Sequence, residues 1–188
     1  MCGIFGIISN KSDNFNRLKI AKQLFLLSES RGKEASGFAF IKENDIIVHK
    51  SPLSASQLIK TKEYKNTFID NREDFAFIAH SRLVTNGYEY DNKNNQPFIK
   101  KNIVGIHNGI IVNVDELWLK YGIENKTSDL DSEIIPEILR SKLNSKKNIN
   151  ESLNEFYSEI YGMTNIALFF SLYFQFYQIQ IYLHLLKS

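Results

Sequence analysis

The chain opens on a nearly continuous apolar run, Cys2-Gly3-Ile4-Phe5-Gly6-Ile7-Ile8-Ser9, with two glycines standing among hydrophobic residues. A strand with one face in water alternates polar with apolar. This run does not, and it fits a central strand buried on both faces. Such a strand needs a covering layer on each side, which restricts the fold to stacked sheets and helices. Gly3 and Gly6 would let other backbone approach closely. The run also carries the only cysteine, directly behind Met1. Removal of Met1 would leave residue 2 with a thiol and a free α-amine, whose reference pKa of about 7.7–8.0 lets it take the thiol proton near neutral pH. Taken alone, Cys2 reads equally as a small hydrophobe starting a buried strand.

A chain of 188 residues suffices for one domain, 1–188, with a substantial two-layer core. Its 43% hydrophobic and 23% charged residues are globular values that exclude wholesale disorder. A net charge of +2 without a basic stripe argues against a nucleic-acid partner. One cysteine makes no internal disulfide and no zinc cluster, which suits a reducing cytoplasm; no metal or cofactor is expected. The apolar run after Cys2 is too short to span a bilayer, so no membrane association is expected there.

Ser12 or Asp13 can cap a helix reaching to about Glu29, with Leu18, Ala21, Leu24, Phe25 and Ser28 on one face and Gly32 just beyond its end. Ser36 to Lys42 and Ile46 to Lys50 read as a hairpin, Ser54 to Lys60 as a short helix, and Asp74 to Leu83 as a second buried strand. Val84 to Lys101 is polar, rich in Asn and without period, a loop long enough to suggest function. Ile103 to His107 resumes a strand, Asn108-Gly109 supplies a tight turn, and Asn113 to Glu116 resembles a capping box opening a helix. Further helices are expected from near Asp131 and over Glu151 to Tyr161, the first with Pro136 a turn inside it. Met163 to Leu186 carries no formal charge; interrupted by Gln175, Gln178, Gln180 and His184, it reads as two strands rather than a membrane helix.

Four segments taken together are more specific than any one of them: Met1-Cys2-Gly3; Arg31-Gly32-Lys33-Glu34-Ala35-Ser36-Gly37; His80-Ser81-Arg82-Leu83-Val84-Thr85-Asn86-Gly87; and His107-Asn108-Gly109. With the later Asp131-Ser132-Glu133 they resemble, over residues 2–165, the glutaminase domain of class II glutamine amidotransferases, which are N-terminal nucleophile hydrolases. The resemblance implies an α+β fold, a four-layer αββα sandwich of antiparallel sheets. It implies hydrolysis of L-glutamine to glutamate and ammonia, with Cys2 attacking the side-chain amide. The Asn108 side chain and the Gly109 N–H would stabilise the oxyanion. Arg82 would bind the α-carboxylate and Asp131 the α-ammonium, while Thr85, Asn86 and Gly87 would lie in a loop closing over glutamine. Arg31, with Gly32, would order the backbone around Cys2. The bland alternatives are a structural ion pair for Arg82 and a helix N-cap for Asp131.

The spacing most resembles the glucosamine-6-phosphate synthase branch, yet Leu83 and Asn86 stand where many sugar-acting relatives have Trp and His. Asn95-Gln96-Pro97-Phe98 is similar instead to the phosphoribosyl-transferring branch. After about Phe169 the sequence departs from the family, so 166–188 is read as an atypical ending, either truncated or frame-shifted. Its aromatic residues predict self-association through 165–186. The resulting reading is a glutaminase supplying ammonia to a separate synthase. The alternative is a non-catalytic glutamine-binding relative with a damaged C-terminal sheet.

Overall fold

A computed structural model describes residues 2–42, 45–68, 74–84, 90–143 and 148–170. Two antiparallel sheets lie face to face. The first has the order β1-β4-β2-β3, from Gly3–Ser9 (β1), Ala35–Lys42 (β2), Asp45–Ser51 (β3) and Phe75–Arg82 (β4). The second has the order β5-β6-β7, from Phe98–Lys100 (β5), Ile103–Ile111 (β6) and Gly162–Phe170 (β7). Helices α1 (Arg17–Ser28), α2 (Ala55–Leu58) and α3 (Lys62–Asn66) cover the first sheet. Helices α4 (Val114–Tyr121), α5 (Ile134–Leu143) and α6 (Ile149–Glu159) cover the second. The layers are therefore αββα, as expected.

Strand alternation generates three cores from two sheets. In β4, Phe75, Phe77 and Ala79 point toward α1 and join Phe25, Phe38 and Tyr64, while Ala76 and Ile78 point the other way. There they meet Val104, Ile106, Ala167 and Phe169 in the seam between the sheets. The opposite faces of β6 and β7 present Ile103, Ile111, Ile166 and Leu168 to Trp118, Ile135, Ile138 and Phe156.

Several expectations need correction. The opening strand is not central among the described residues: there β1 is an edge paired only with β4, and Ile8 is 53% exposed. Among the described strands, the one buried along its whole length is β4. Asn108-Gly109 is not a turn, because β6 continues to Ile111 with Asn108 opposite Asn165 and Gly109 opposite Thr164. A Cβ on Gly109 would sit 1.8 Å from the Met163 carbonyl oxygen, so glycine is required by close approach of β7 rather than by a turn. Asn113 precedes α4 but does not cap it with its side chain; it donates to Glu159 O at 2.9 Å and accepts from Tyr161 N at 3.0 Å, joining α6 to β6. The cap of α1 is Asn16, which accepts the Lys19 N–H at 2.9 Å. Ile166 to Phe169, within the segment expected to mediate self-association, are core residues of β7. Residues 171–186 lie outside the described residues.

Candidate functional site

Alternation and register bring the motif residues to one end of the seam. Gly3 lies opposite Ser81, and extending that register by one residue sets Cys2 opposite Arg82. Residues with the parity of Ala76 and Ile78 face the second sheet, so Arg82 at the end of β4 does too. On β6 the parity of Val104 and Ile106 extends to Asn108, and on β7 that of Ala167 and Phe169 extends to Asn165. Cys2, Asn108 and Asn165, with Leu24, Leu27, Ser28 and Arg31, line a cavity of about 470 Å³. Asn165 donates its Nδ2 to Asn108 O at 3.2 Å.

Two close approaches hold Cys2 in place. A Cβ on Gly32 would come within 2.2 Å of the Arg82 carbonyl carbon, so glycine lets this loop lie on the end of β4. Arg31 then donates its Nε to Cys2 O at 3.0 Å. The thiol sits against Leu83, accepting its N–H at 3.4 Å and lying 3.6 Å from its carbonyl oxygen as a weak donor. Burial pushes the Cys2 thiol up from its ordinary value, against the Leu83 hydrogen bond and the Arg82 charge. The thiol is therefore protonated at neutral pH and needs a base to become a nucleophile. Neither buried histidine serves. Burial, with His107 and Arg82 adding, lowers His80 to about 3, and burial lowers His107 against the opposing Asp131 carboxylate. Neither lines the cavity.

The open edge of β6 supplies a donor. Even-numbered residues turn their N–H groups toward β7, as Val112 does in bonding Tyr161 O at 2.8 Å, so odd-numbered ones turn away. The His107 N–H is taken by Gln96 Oε1 at 2.6 Å and the Ile111 N–H by Asp131 Oδ2 at 2.9 Å. Between them the Gly109 N–H faces the same edge. Asp131 caps this edge rather than the helix that follows it. Its loop is fastened by Glu133, 5% exposed, which accepts from Lys100 Nζ at 2.8 Å and from the backbone and hydroxyl groups of Thr127 and Ser128. Burial alone would raise Glu133, but these hydrogen bonds hold it at about 2.

Of the residues singled out in the sequence, Cys2, Arg31 and Asn108 meet at the cavity, with Gly32 and Gly109 packed beside them. Arg82, 3% exposed, lies beside Cys2 at the end of the neighbouring strand and donates its Nη1 to Asn95 Oδ1 at 2.8 Å. Asp131 lies across β6. Thr85, Asn86 and Gly87 are outside the described residues. Sequence reading missed Asn165 and the contacts of Gln96. The signal for Asn165 was available: it is a lone carboxamide within an otherwise largely apolar strand, Gly162–Phe170. Given a base for the thiol, a set of this kind, with amide donors beside it and a cation and a carboxylate flanking it, can attack an amide carbonyl and hold the oxyanion that forms.

A family model described as a glutamine amidotransferase domain matches residues 80–176. The chain is 33% identical over 144 residues to the amidophosphoribosyltransferase of Methanocaldococcus jannaschii, covering 72% of this chain and 28% of that one. It is 33% identical over 140 residues to the isomerizing glutamine–fructose-6-phosphate aminotransferase of Sulfolobus acidocaldarius, covering 72% and 22%. It is 31% identical over 140 residues to the 7-cyano-7-deazaguanine synthase 2 of Sulfurisphaera tokodaii, covering 72% and 30%. The chain thus spans less than a third of the length of these relatives. Among solved structures, the glutamine phosphoribosylpyrophosphate amidotransferase of B. subtilis superposes with a TM-score of 0.60 at 17% identity, covering 90% of this chain and 35% of that one. An allosteric regulatory enzyme of purine biosynthesis superposes with 0.67 at 18%, covering 89% and 35%. These likenesses establish the fold, and among the described residues no helix is long and apolar enough to cross a membrane. With the family model covering more than half of its length, the chain belongs to the class II glutamine amidotransferase domains, built on the N-terminal nucleophile fold.

Proposed function

We propose that residues 1–188 form a single glutaminase domain that hydrolyses the side-chain amide of L-glutamine through Cys2 and passes the ammonia to a separate synthase in the cytoplasm. The observation that carries this reading is the convergence of the Cys2 thiol and Asn108 on one cavity, with the Gly109 N–H at the adjacent strand edge. In the chain lacking Met1, the Cys2 α-amine takes the thiol proton, and Sγ bonds to the amide carbon. The Asn108 side chain and the Gly109 N–H hold the resulting oxyanion. Collapse of that intermediate breaks the C–N bond, and the Cys2 ammonium gives its proton to the departing ammonia. The amine then activates water against the glutamyl thioester, releasing glutamate and restoring the thiol. Arg82 receives the α-carboxylate and Asp131 the α-ammonium.

The names of the relatives differ in what they imply about the ammonia acceptor, and the chain matches only a fraction of each, so the proposal names no acceptor. The test is glutamate release from glutamine by the purified chain, beside Cys2→Ala. Release that depends on Cys2 supports the proposal; its absence from the wild-type chain, with and without products of neighbouring genes, overturns it.

A further inference from the structure

Strand β5 ends early, and the reason bears on the oxyanion donor. Its register with β6 sets Phe98 opposite Gly105, Ile99 opposite Val104 and Lys100 opposite Ile103. Carried on, the same register would set Gln96 opposite His107 and Asn94 opposite Gly109. A strand continued that far would place a backbone carbonyl on the Gly109 N–H, where an oxyanion must bind. The chain avoids this without abandoning the edge. Gln96 makes the next ladder bond with its side chain instead of its backbone, Oε1 accepting the His107 N–H at 2.6 Å. Its Nε2 donates to Ser132 Oγ at 3.4 Å. Both side chains are buried, Gln96 being 6% exposed and Ser132 fully enclosed.

Asn94 is meanwhile drawn off into a short turn, where it accepts the Asp129 N–H at 2.9 Å. Gln96 therefore links the β6 backbone two residues before Gly109 to the residue beside Asp131, whose carboxylate fixes the N–H two residues after Gly109. The peptide carrying the Gly109 N–H is held on both sides, and among the described residues nothing bonds the N–H between them.

We propose that Gln96 is a positioning residue for the oxyanion site: it terminates β5 while replacing the last ladder bond, so that the Gly109 N–H is both rigid and accessible. The proposal rests on the glutaminase reading. Its action is through backbone orientation, so its loss should appear in turnover, where the oxyanion forms, more than in glutamine binding.

The test compares Gln96→Met, which keeps length and loses both hydrogen bonds, with Gln96→Glu, which keeps an acceptor for His107 N–H and can take a hydrogen bond from Ser132. The expected kcat for glutamate release falls about 10²-fold in Gln96→Met, as for a small misplacement of a catalytic group, with KM changed less than about threefold. Gln96→Glu recovers part of that loss. A folded Gln96→Met with wild-type kcat, or with a raised KM at unchanged kcat, overturns the proposal. Should Gln96→Met fail to fold, Ser132→Ala carries the test through the second anchor, with a smaller fall in kcat expected and an unchanged kcat counting against it.

Amide NMR without substrate separates this from the functional reading. Gln96→Met should shift the Gly109 amide resonance and speed hydrogen exchange at His107. Both amides unchanged would overturn the positioning role, even if the wild-type chain proved inert toward glutamine and so refuted the glutaminase reading instead.

Discussion

Replacing Glu133 by Gln removes the carboxylate that fastens the loop carrying Asp131, without changing its size. The structure gives the scale. Burial disfavours the charge, yet the hydrogen bonds from Lys100, Thr127 and Ser128 hold the carboxyl at about 2 against an ordinary 4.5. That difference contributes on the order of 3 kcal/mol to folding at neutral pH. Gln keeps one acceptor but turns an NH₂ toward the Lys100 ammonium and the Thr127 and Ser128 N–H groups, which can only donate, and it leaves Lys100 with the Asn125 carbonyl and the more distant Glu137 carboxylate, at 3.8 Å. At roughly 2–4 °C per kcal/mol for a chain of this size, Glu133→Gln should melt about 6–12 °C below wild type near neutral pH. The sign follows from a depressed folded-state pKa: the contribution is fully present above the ordinary 4.5 and is lost as pH falls through about 2. The gap between the two melting temperatures should therefore narrow across that window. Thermal unfolding followed by circular dichroism at a series of pH values measures it. A variant melting within about 2 °C of wild type near neutral pH, or a gap that does not narrow on acidification, would refute this account of the loop.

Other substitutions separate the proposed roles at the site. Asn108→Ala should lower kcat about 10²–10³-fold with a modest change in KM, because the amide acts on an oxyanion that exists only beyond the ground state. Arg82→Ala should chiefly raise KM, and steady-state kinetics showing the two effects interchanged would reverse the assignments. Gly109→Ala places a Cβ 1.8 Å from the Met163 carbonyl oxygen, so β7 must shift. A loss of about 1–3 kcal/mol in denaturant unfolding, together with loss of activity, is expected; a variant as stable as wild type would show that this edge is looser than described.

Much of the fold was legible because two faces of the same strand carry different residues. Phe75 and Phe77 alternate with Ala76 and Ile78, which marks β4 as buried on both sides, and the run of strands and helical patterns called for stacked sheets and helices, while the four-layer sandwich came from the family resemblance alone. The edge position of β1 was not legible, since an apolar run does not reveal how many neighbours a strand has. Asn108-Gly109 misled for a physical reason. The same absence of Cβ that serves a turn also admits the Met163 carbonyl, and only the partner strand distinguishes the two. Asn113 has the right type and place for a cap, but its side chain is used by Glu159 and Tyr161, far away in sequence. At the site, Cys2, Arg82, Asn108 and Asp131 were named from motifs. The device that leaves the Gly109 N–H open needed the register of β5 against β6, which a polar loop sequence does not encode visibly.

The central claim is that one residue supplies both the nucleophile and its base. The most direct measurement is intact-mass spectrometry of an active preparation, before and after treatment with a diazo-ketone analogue of glutamine, beside the loss of glutamate release. The account predicts a chain lacking Met1, a single covalent adduct located on Cys2, and activity that disappears in step with its formation. A preparation of full activity that retains Met1, or one that is modified elsewhere while Cys2 stays free, would contradict it.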